Sequence, residues 1–390
     1  MKNESNRTPN PSSSPVPPGA VRRRSFLTAG GAIAAGAFLA ACASGNPGSA
    51  SSSGSGSAPA SGSASGAGKK VSITITPFAG ANLAAMPTAF AQYYQEKHPN
   101  VSITLDDTVL FTKQVAGYKA DPHKPLTNLA FSNSASTATG KALGMYAKLD
   151  YSRIPNTAGL VPHLVEKDHC GVALGADQMG IVSNKHNYPS GLHSWSDLWS
   201  PQQRGKECYF TTPWWAIGVA ASEHGGSWTS MDPGFGIWQQ NAQDIRTIVT
   251  ANPQFLNVLA SGEAPLTSHY FGTSNAWAAT GAPLQYNAPQ EGVFFDSISV
   301  NVVAASSADQ IEVMYDMLNE MLTPKWNSMW ADSSVEVPAL TSTTLTPKLK
   351  ALPQISAGSN QKFVSVDWDT VGQNLPAWTD RWNQDVVSKI

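Results

Sequence analysis

The chain has 390 residues, 25 of them basic and 27 acidic, for a formal net charge of −2. Its basic residues form no stripe, which excludes a nucleic acid as partner. None of the 8 histidines forms a His-x-x-x-His pair and there is no Asp-rich loop, so no metal centre and no cofactor is expected. A Gly-x-Ser-x-Gly elbow, a P-loop and a Gly-x-Gly-x-x-Gly turn are all missing, so the expectation is that the chain is not an enzyme.

Residues 23–42 read as an export signal. Arg23-Arg24-Ser25-Phe26-Leu27 leads into an Ala/Gly-rich apolar run that ends in Leu39-Ala40-Ala41-Cys42. The run over 26–41 is 16 residues, short of the roughly 20 that span a bilayer. The paired arginines resemble a twin-arginine signal, with Arg22 and Thr28 as departures from the usual pattern. Leu39-Ala40-Ala41-Cys42 resembles the lipobox of bacterial lipoproteins, in which cleavage leaves the cysteine lipid-modified. A signal anchor with a chance cysteine is the other reading. Residues 1–41 are thus assigned as signal peptide and 42–69 as lipid-modified Cys42 plus linker. From 43 to 68 every residue but Asn46 is Ser, Gly, Ala or Pro, a composition that cannot bury enough apolar area to order itself. Such a tether reaches roughly 28 Å. The expected location is outside the cytoplasm, anchored to the bacterial membrane by lipid. Without residues 1–41 the chain carries 20 basic and 26 acidic residues, net −6.

The remaining body is long enough for one large or two medium domains. Val71-Ser72-Ile73-Thr74-Ile75 alternates strictly, a helix is expected over about 84–98, and Val101-Ser102-Ile103-Thr104-Leu105 alternates again. That is a βαβ unit opening a parallel sheet. Tyr93 and Tyr94 fall on the helix's core stripe. Ile311, Met314, Tyr315, Leu318, Met321 and Leu322 mark a later core-facing helix that stops at Thr323-Pro324. Trp378, Trp382 and Val386 mark a C-terminal amphipathic helix. Cys170 and Cys208 are either a disulfide pair or two separate buried thiols, the second being the plainer reading.

Several segments together carry a family resemblance. They are Gln95-Glu96-Lys97-His98-Pro99-Asn100-Val101, then Gly144-Met145-Tyr146-Ala147-Lys148-Leu149-Asp150 with Ile154-Pro155-Asn156. Next come Ser194-Trp195-Ser196-Asp197-Leu198-Trp199 with Gly205-Lys206, the stretch 262–283, and Pro289-Gln290-Glu291-Gly292. In this order they resemble the spermidine/putrescine-type extracellular solute-binding proteins of ABC transporters. The resemblance implies an α/β, periplasmic-binding-protein type II-like fold: two lobes, a ligand cleft between them and two crossovers, near 180–184 and 295–300. Lobe one would be 70–181 plus 299–345, lobe two 182–298, and 346–390 a C-terminal segment.

The same resemblance implies the cleft residues. Phe78 joins the helix start Ser132-Asn133-Ser134, which either binds a polar group or simply caps its helix. Thr212, Trp214 and Trp215 form a second start, with Thr212 as N-cap and Pro213 as the first helical residue. The family's amine-binding carboxylates would fall near Thr212 and Trp215, and both are gone. Tyr270 and Phe271 supply aromatics, with core packing as the alternative for Tyr270. Phe294 and Asp296 match the family's aromatic-x-Asp amine clamp, unless Asp296 is a solvent-exposed loop acid. Losing all carboxylates but one points to a small polar solute rather than a long dication. The implied function is delivery of that solute to an ABC permease by a monomeric lipoprotein. A sensor subunit and an exported α/β hydrolase or lyase are the alternatives.

Overall fold

In the computed structural model, residues 69–78, 81–211, 213–356 and 362–390 are described. The export signal, Cys42, the tether and Thr212 lie outside the described residues. Ten strands are present among them: β1 (Val71–Thr76), β2 (Val101–Leu105), β3 (Leu129–Asn133), β4 (Val172–Asn184), β5 (Glu207–Phe210), β6 (Ile245–Val249), β7 (Leu266–Tyr270), β8 (Leu284–Asn287), β9 (Phe294–Val302) and β10 (Val337–Pro338). The helices are α1 (Ala81–Lys97), α2 (Phe111–Ala120), α3 (Ser134–Ala142), α4 (Trp214–Glu223), α5 (Asp232–Gln240), α6 (Asn252–Ser261), α7 (Phe271–Ala279), α8 (Ala308–Met321), α9 (Pro324–Ser334), α10 (Pro347–Lys350), α11 (Pro353–Ser356) and α12 (Trp368–Asp385).

The expected βαβ opening is present. Alternation in β1 buries Ile73 and Ile75, α1 crosses over, and β2 returns parallel with Val101 opposite Val71. Tyr94 is buried and Tyr93 packs against the same core. The stripe expected around 311–322 is α8, whose Met314, Tyr315, Leu318 and Met321 are buried. Its start is fixed by a capping box in which Ser307 and Gln310 satisfy each other's backbone N–H groups. Trp378 and Trp382 of α12 are buried, as is Val386 just beyond it. Cys170 and Cys208 are separate buried thiols.

The sheet runs in the order β2-β1-β3-β9-β4-β7-β5-β6, with β8 and β10 also pairing with β4. Strand β4 organises this arrangement. All 13 of its residues are buried, so it reads as an apolar run with few breaks. Its first half lies between β9 and β10, with Gly175 opposite both Ile298 and Pro338. Its second half lies between β7 and β8, with Ile181 opposite both Ser268 and Asn287. The change of neighbours coincides with a change of core. Val172, Leu174 and Ala176 pack with β1, β3, α1 and α8, whereas Met179 and Ile181 pack with α4, α5 and α12. Strand β9 makes the same passage, from Phe294 in the second core to Ile298 and Val300 in the first.

Candidate functional site

A cavity of about 130 Å³ opens where β4 and β9 pass between the two cores. Strand ends and helix starts line it: Phe78 after β1, Asn82 and Leu83 of α1, Asn133 at the end of β3, and Tyr270 with Thr273 at the β7–α7 junction. Asp177 of β4 and Glu336 just before β10 complete its polar wall. Ligands of α/β proteins bind at such carboxyl ends of strands.

Three acids line up beside it. Asp177 stands directly opposite Asp296 in the β4–β9 register. On the other edge of β4, Val337 stands opposite Ala176, which brings Glu336 to the rung of Asp177. Cross-strand partners share a face and adjacent strands lie about 4.8 Å apart, so the carboxyl groups form a row. Burial raises all three pKa values. It pushes Asp177 up to about 7, against the pull of two backbone N–H donors. Burial also holds Glu336 well above the usual carboxylate range, reinforced by the neighbouring Asp177. For Asp296, burial outweighs the donors from Tyr270 and Ser134.

Asp296, Ser134 and Tyr270 are brought together. Asp296 Oδ1 accepts the Ser134 backbone N–H at 2.8 Å, and its Oδ2 accepts the Tyr270 hydroxyl. Tyr270 is steadied by its own backbone N–H donating to His269 Nδ1 at 2.8 Å. Burial drives the His269 pKa down to about 3, so that ring is neutral. Asn133 lines the cavity and also caps α3, accepting the Ser136 N–H at 2.9 Å. Of the residues expected at a cleft, Phe78, Asn133 and Tyr270 therefore reach the cavity. Asp296 stands behind it, only 1% exposed.

The others lie elsewhere. Ser132 is buried with its hydroxyl 3.0 Å from that of Tyr146. Trp214, Trp215 and Phe294 belong to the second core. Trp215 Nε1 donates to Ser268 Oγ at 2.6 Å, and the Trp214 ring packs against those of Trp215, Trp228 and Trp368. Phe271 packs edge-on against Tyr286, with centroids 5.1 Å apart. Helix α4 starts at Trp214 with Pro213 as its N-cap, one position later than expected. Asp177 and Glu336 escaped the sequence reading, and their signals are plain afterwards. One is an acid in the middle of a largely apolar strand, and the other interrupts Val335-Glu336-Val337. They correct the expectation that a single carboxylate remains.

A larger groove of about 300 Å³ is lined by Ser297 and Ser299, which alternate with Asp296 and Ile298 along β9 and so face the other side of the sheet. Lys141 at its wall is already paired with both Asp168 and Asp369, tying α3 to the start of α12. Among the described residues no helix is long and apolar enough to cross a membrane, and no cluster of His, Cys, Asp or Glu is arranged to hold a metal ion.

This architecture is that of the periplasmic binding proteins. An ABC transporter structure from Clostridium perfringens superposes with a TM-score of 0.66 at 17% identity, over 81% of this chain and 100% of the other. The spermidine/putrescine ABC transporter substrate-binding protein PotD from Streptococcus pneumoniae gives 0.64 at 13% identity, over 83% and 100%. The binding protein AfuA from Actinobacillus pleuropneumoniae, with fructose-6-phosphate bound, gives 0.65 at 16%, over 82% and 99%. At such identities the likeness establishes the fold, and the differing ligands show that the fold does not name the solute. No protein-family model and no curated protein matches the chain.

Proposed function

We propose that the protein is a solute-binding lipoprotein that captures a small polar solute and hands it to an ABC permease. The observation that carries this reading is the cavity at the passage of β4 and β9, lined from both cores by strand ends. In this reading the two cores belong to two lobes, 70–181 plus 299–345 and 182–298, with 346–390 as a C-terminal segment. Hinge closure moves Tyr270 and Thr273 against Phe78 and Asn133. The lining holds carboxyl groups, amides and aromatic rings, which suits a solute bearing an amine. Its volume is below the roughly 300–1,000 Å³ of pockets for drug-sized ligands, so a long dication such as spermidine is expected to bind weakly. Space, rather than a shortage of carboxylates, supports that expectation. The twin-arginine-like signal and Cys42 support export and lipid anchoring on the outer side of the membrane.

The test is a thermal-shift screen of amines, amino acids and organic acids on the purified protein. A ligand at about 100 times its Kd stabilises by about 2.7 kcal/mol. Conversion of a bound compound into product would instead favour the hydrolase or lyase alternative. For the anchor, Cys42→Ser protein should stay folded and leave the membrane fraction. Its complete retention there overturns the lipoprotein assignment.

A further inference from the structure

The three acids in the row are not equivalent. Both oxygens of Asp296 are occupied, one by the Ser134 N–H and one by the Tyr270 hydroxyl, and Asp296 does not line the cavity. Asp177 uses only Oδ1, which takes the N–H groups of Gln178 at 2.7 Å and Gly272 at 3.0 Å. Its Oδ2 accepts no hydrogen bond among the described residues, although the side chain is only 7% exposed and lines the cavity. Glu336, 3% exposed, gives Oε2 to Trp330 Nε1 at 2.7 Å and lines the same wall. No described lysine, arginine or histidine pairs with any of the three. The approach is tight: a Cβ on Gly272 would lie 2.9 Å from Asp177 Oδ2 and 2.5 Å from the Ser334 carbonyl oxygen. The row thus offers an unpartnered, nearly buried acceptor at the cavity wall, with the rings of Phe78 and Tyr270 among the lining.

We propose that the solute's ammonium group docks between Asp177 and Glu336, while Asp296 is a positioning residue that holds Tyr270 and does not touch solute. This rests on the solute-binding reading above. An ammonium placed there supplies the donors that Asp177 Oδ2 lacks and the positive charge that the row lacks. Tyr270, pinned from behind by Asp296, presents its ring to the cation.

Calorimetry distinguishes the two roles, with putrescine, 4-aminobutyrate and methylammonium as cationic probes and citrate and glycerol as controls. The tightest cationic probe should lose about tenfold or more in affinity with Asp177→Asn and with Glu336→Gln. Asp296→Asn and Tyr270→Phe should each lose only about threefold, and their combination no more than either alone, because they act as one unit. Melting temperatures without ligand show whether each variant is folded, and Asp177→Ser replaces Asp177→Asn if the latter is not. A larger loss with Asp296→Asn than with Asp177→Asn overturns the assignment of roles. Tighter binding of citrate or glycerol than of any cation overturns the ammonium subsite and leaves solute binding intact. Absence of binding by every cationic probe at millimolar concentration also overturns the subsite, whatever the wider screen finds.

Discussion

Asp177 in β4 and Glu207 in β5 are both buried acids with raised pKa values, yet they sit in opposite surroundings. Asp177 holds two backbone donors on one oxygen, leaves the other without one, and lines a cavity. Glu207 is fully buried, and neither of its oxygens makes a well-formed hydrogen bond among the described residues, the neighbouring Tyr209 hydroxyl alone easing its charge. It lines neither cavity and lies beside the second, tryptophan-rich core, next to buried Tyr209. Burial pushes its pKa well above the carboxylate range. Perturbed titration is common to both positions, and a route for a ligand belongs only to Asp177. A buried acid marks a site when it faces space that a partner can enter.

The contrast breaks most readily at Trp215, which sequence placed at the cleft and the structure places in the core. Trp215→Ala should destabilise the fold by about 3–5 kcal/mol in urea unfolding, through the cavity left and the lost bond to Ser268. Ligand affinity of the remaining folded protein should hardly change. A loss of affinity without a loss of stability would return Trp215 to the binding surface.

Glu207→Gln comes next. A folded-state pKa raised above its unfolded value contributes stability in full below the unfolded pKa, about 4.3, and that contribution fades as pH rises. The amide cannot ionise, so the variant should be more stable than wild type at neutral pH by about 1–3 kcal/mol. The gap should close at about pH 4, with ligand affinity unchanged. Unfolding curves at the two pH values check this, and a destabilised Gln variant at neutral pH would mean that Glu207 has a donor and a structural role.

What sequence disclosed divides along the same line. Element identity was legible because period and caps act locally: β1, β2, α8 and α12 follow from alternation and apolar stripes. The segments that carry the family resemblance turn out to hold the scaffold together. Trp195 Nε1 donates to the Gly292 carbonyl at 2.8 Å, and Glu291 accepts the Ser194 hydroxyl at 2.6 Å, so two distant motifs lock each other. Such locks disclose the fold and say little about solute. Asp177 and Glu336 meet only through strand register between positions 159 residues apart, information that no local window contains. The aromatic pair Trp214 and Trp215 shows the converse, since residue type alone does not separate a ligand-stacking ring from a core ring.

The remaining effects are smaller and concern the acid row itself. Asp177 has its pKa raised to about 7, chiefly by burial with Asp296 adding to it, so its stability contribution is present at acid pH and lost as pH rises toward neutrality. Asp177→Asn should therefore raise the ligand-free stability at about pH 8, on the order of 1–2 kcal/mol, while weakening cation binding. Opposite signs for stability and binding are the signature of a functional acid, which Glu207→Gln should lack. Loss of both together would make Asp177 a structural residue like any other in β4.

Tyr270→Phe is the finest test, because it deletes a single hydroxyl and leaves the ring. Asp296 then keeps only what Ser134 supplies, and a buried carboxylate with one donor fewer is harder to ionise. The Tyr270 bond lowers the Asp296 pKa in the wild type, so its removal raises that pKa further above the ordinary value. The sign follows: the wild type's advantage is present at high pH, where Asp296 is ionised, and fades as pH falls through its folded pKa. At about pH 8 the variant should be less stable by about 0.5–1.5 kcal/mol, and at about pH 4 nearly equal to wild type. Paired urea titrations read the difference directly. A deficit that does not vary with pH would show that the hydroxyl supports packing rather than the ionised form of Asp296, and would remove the link by which Asp296 is held to position Tyr270.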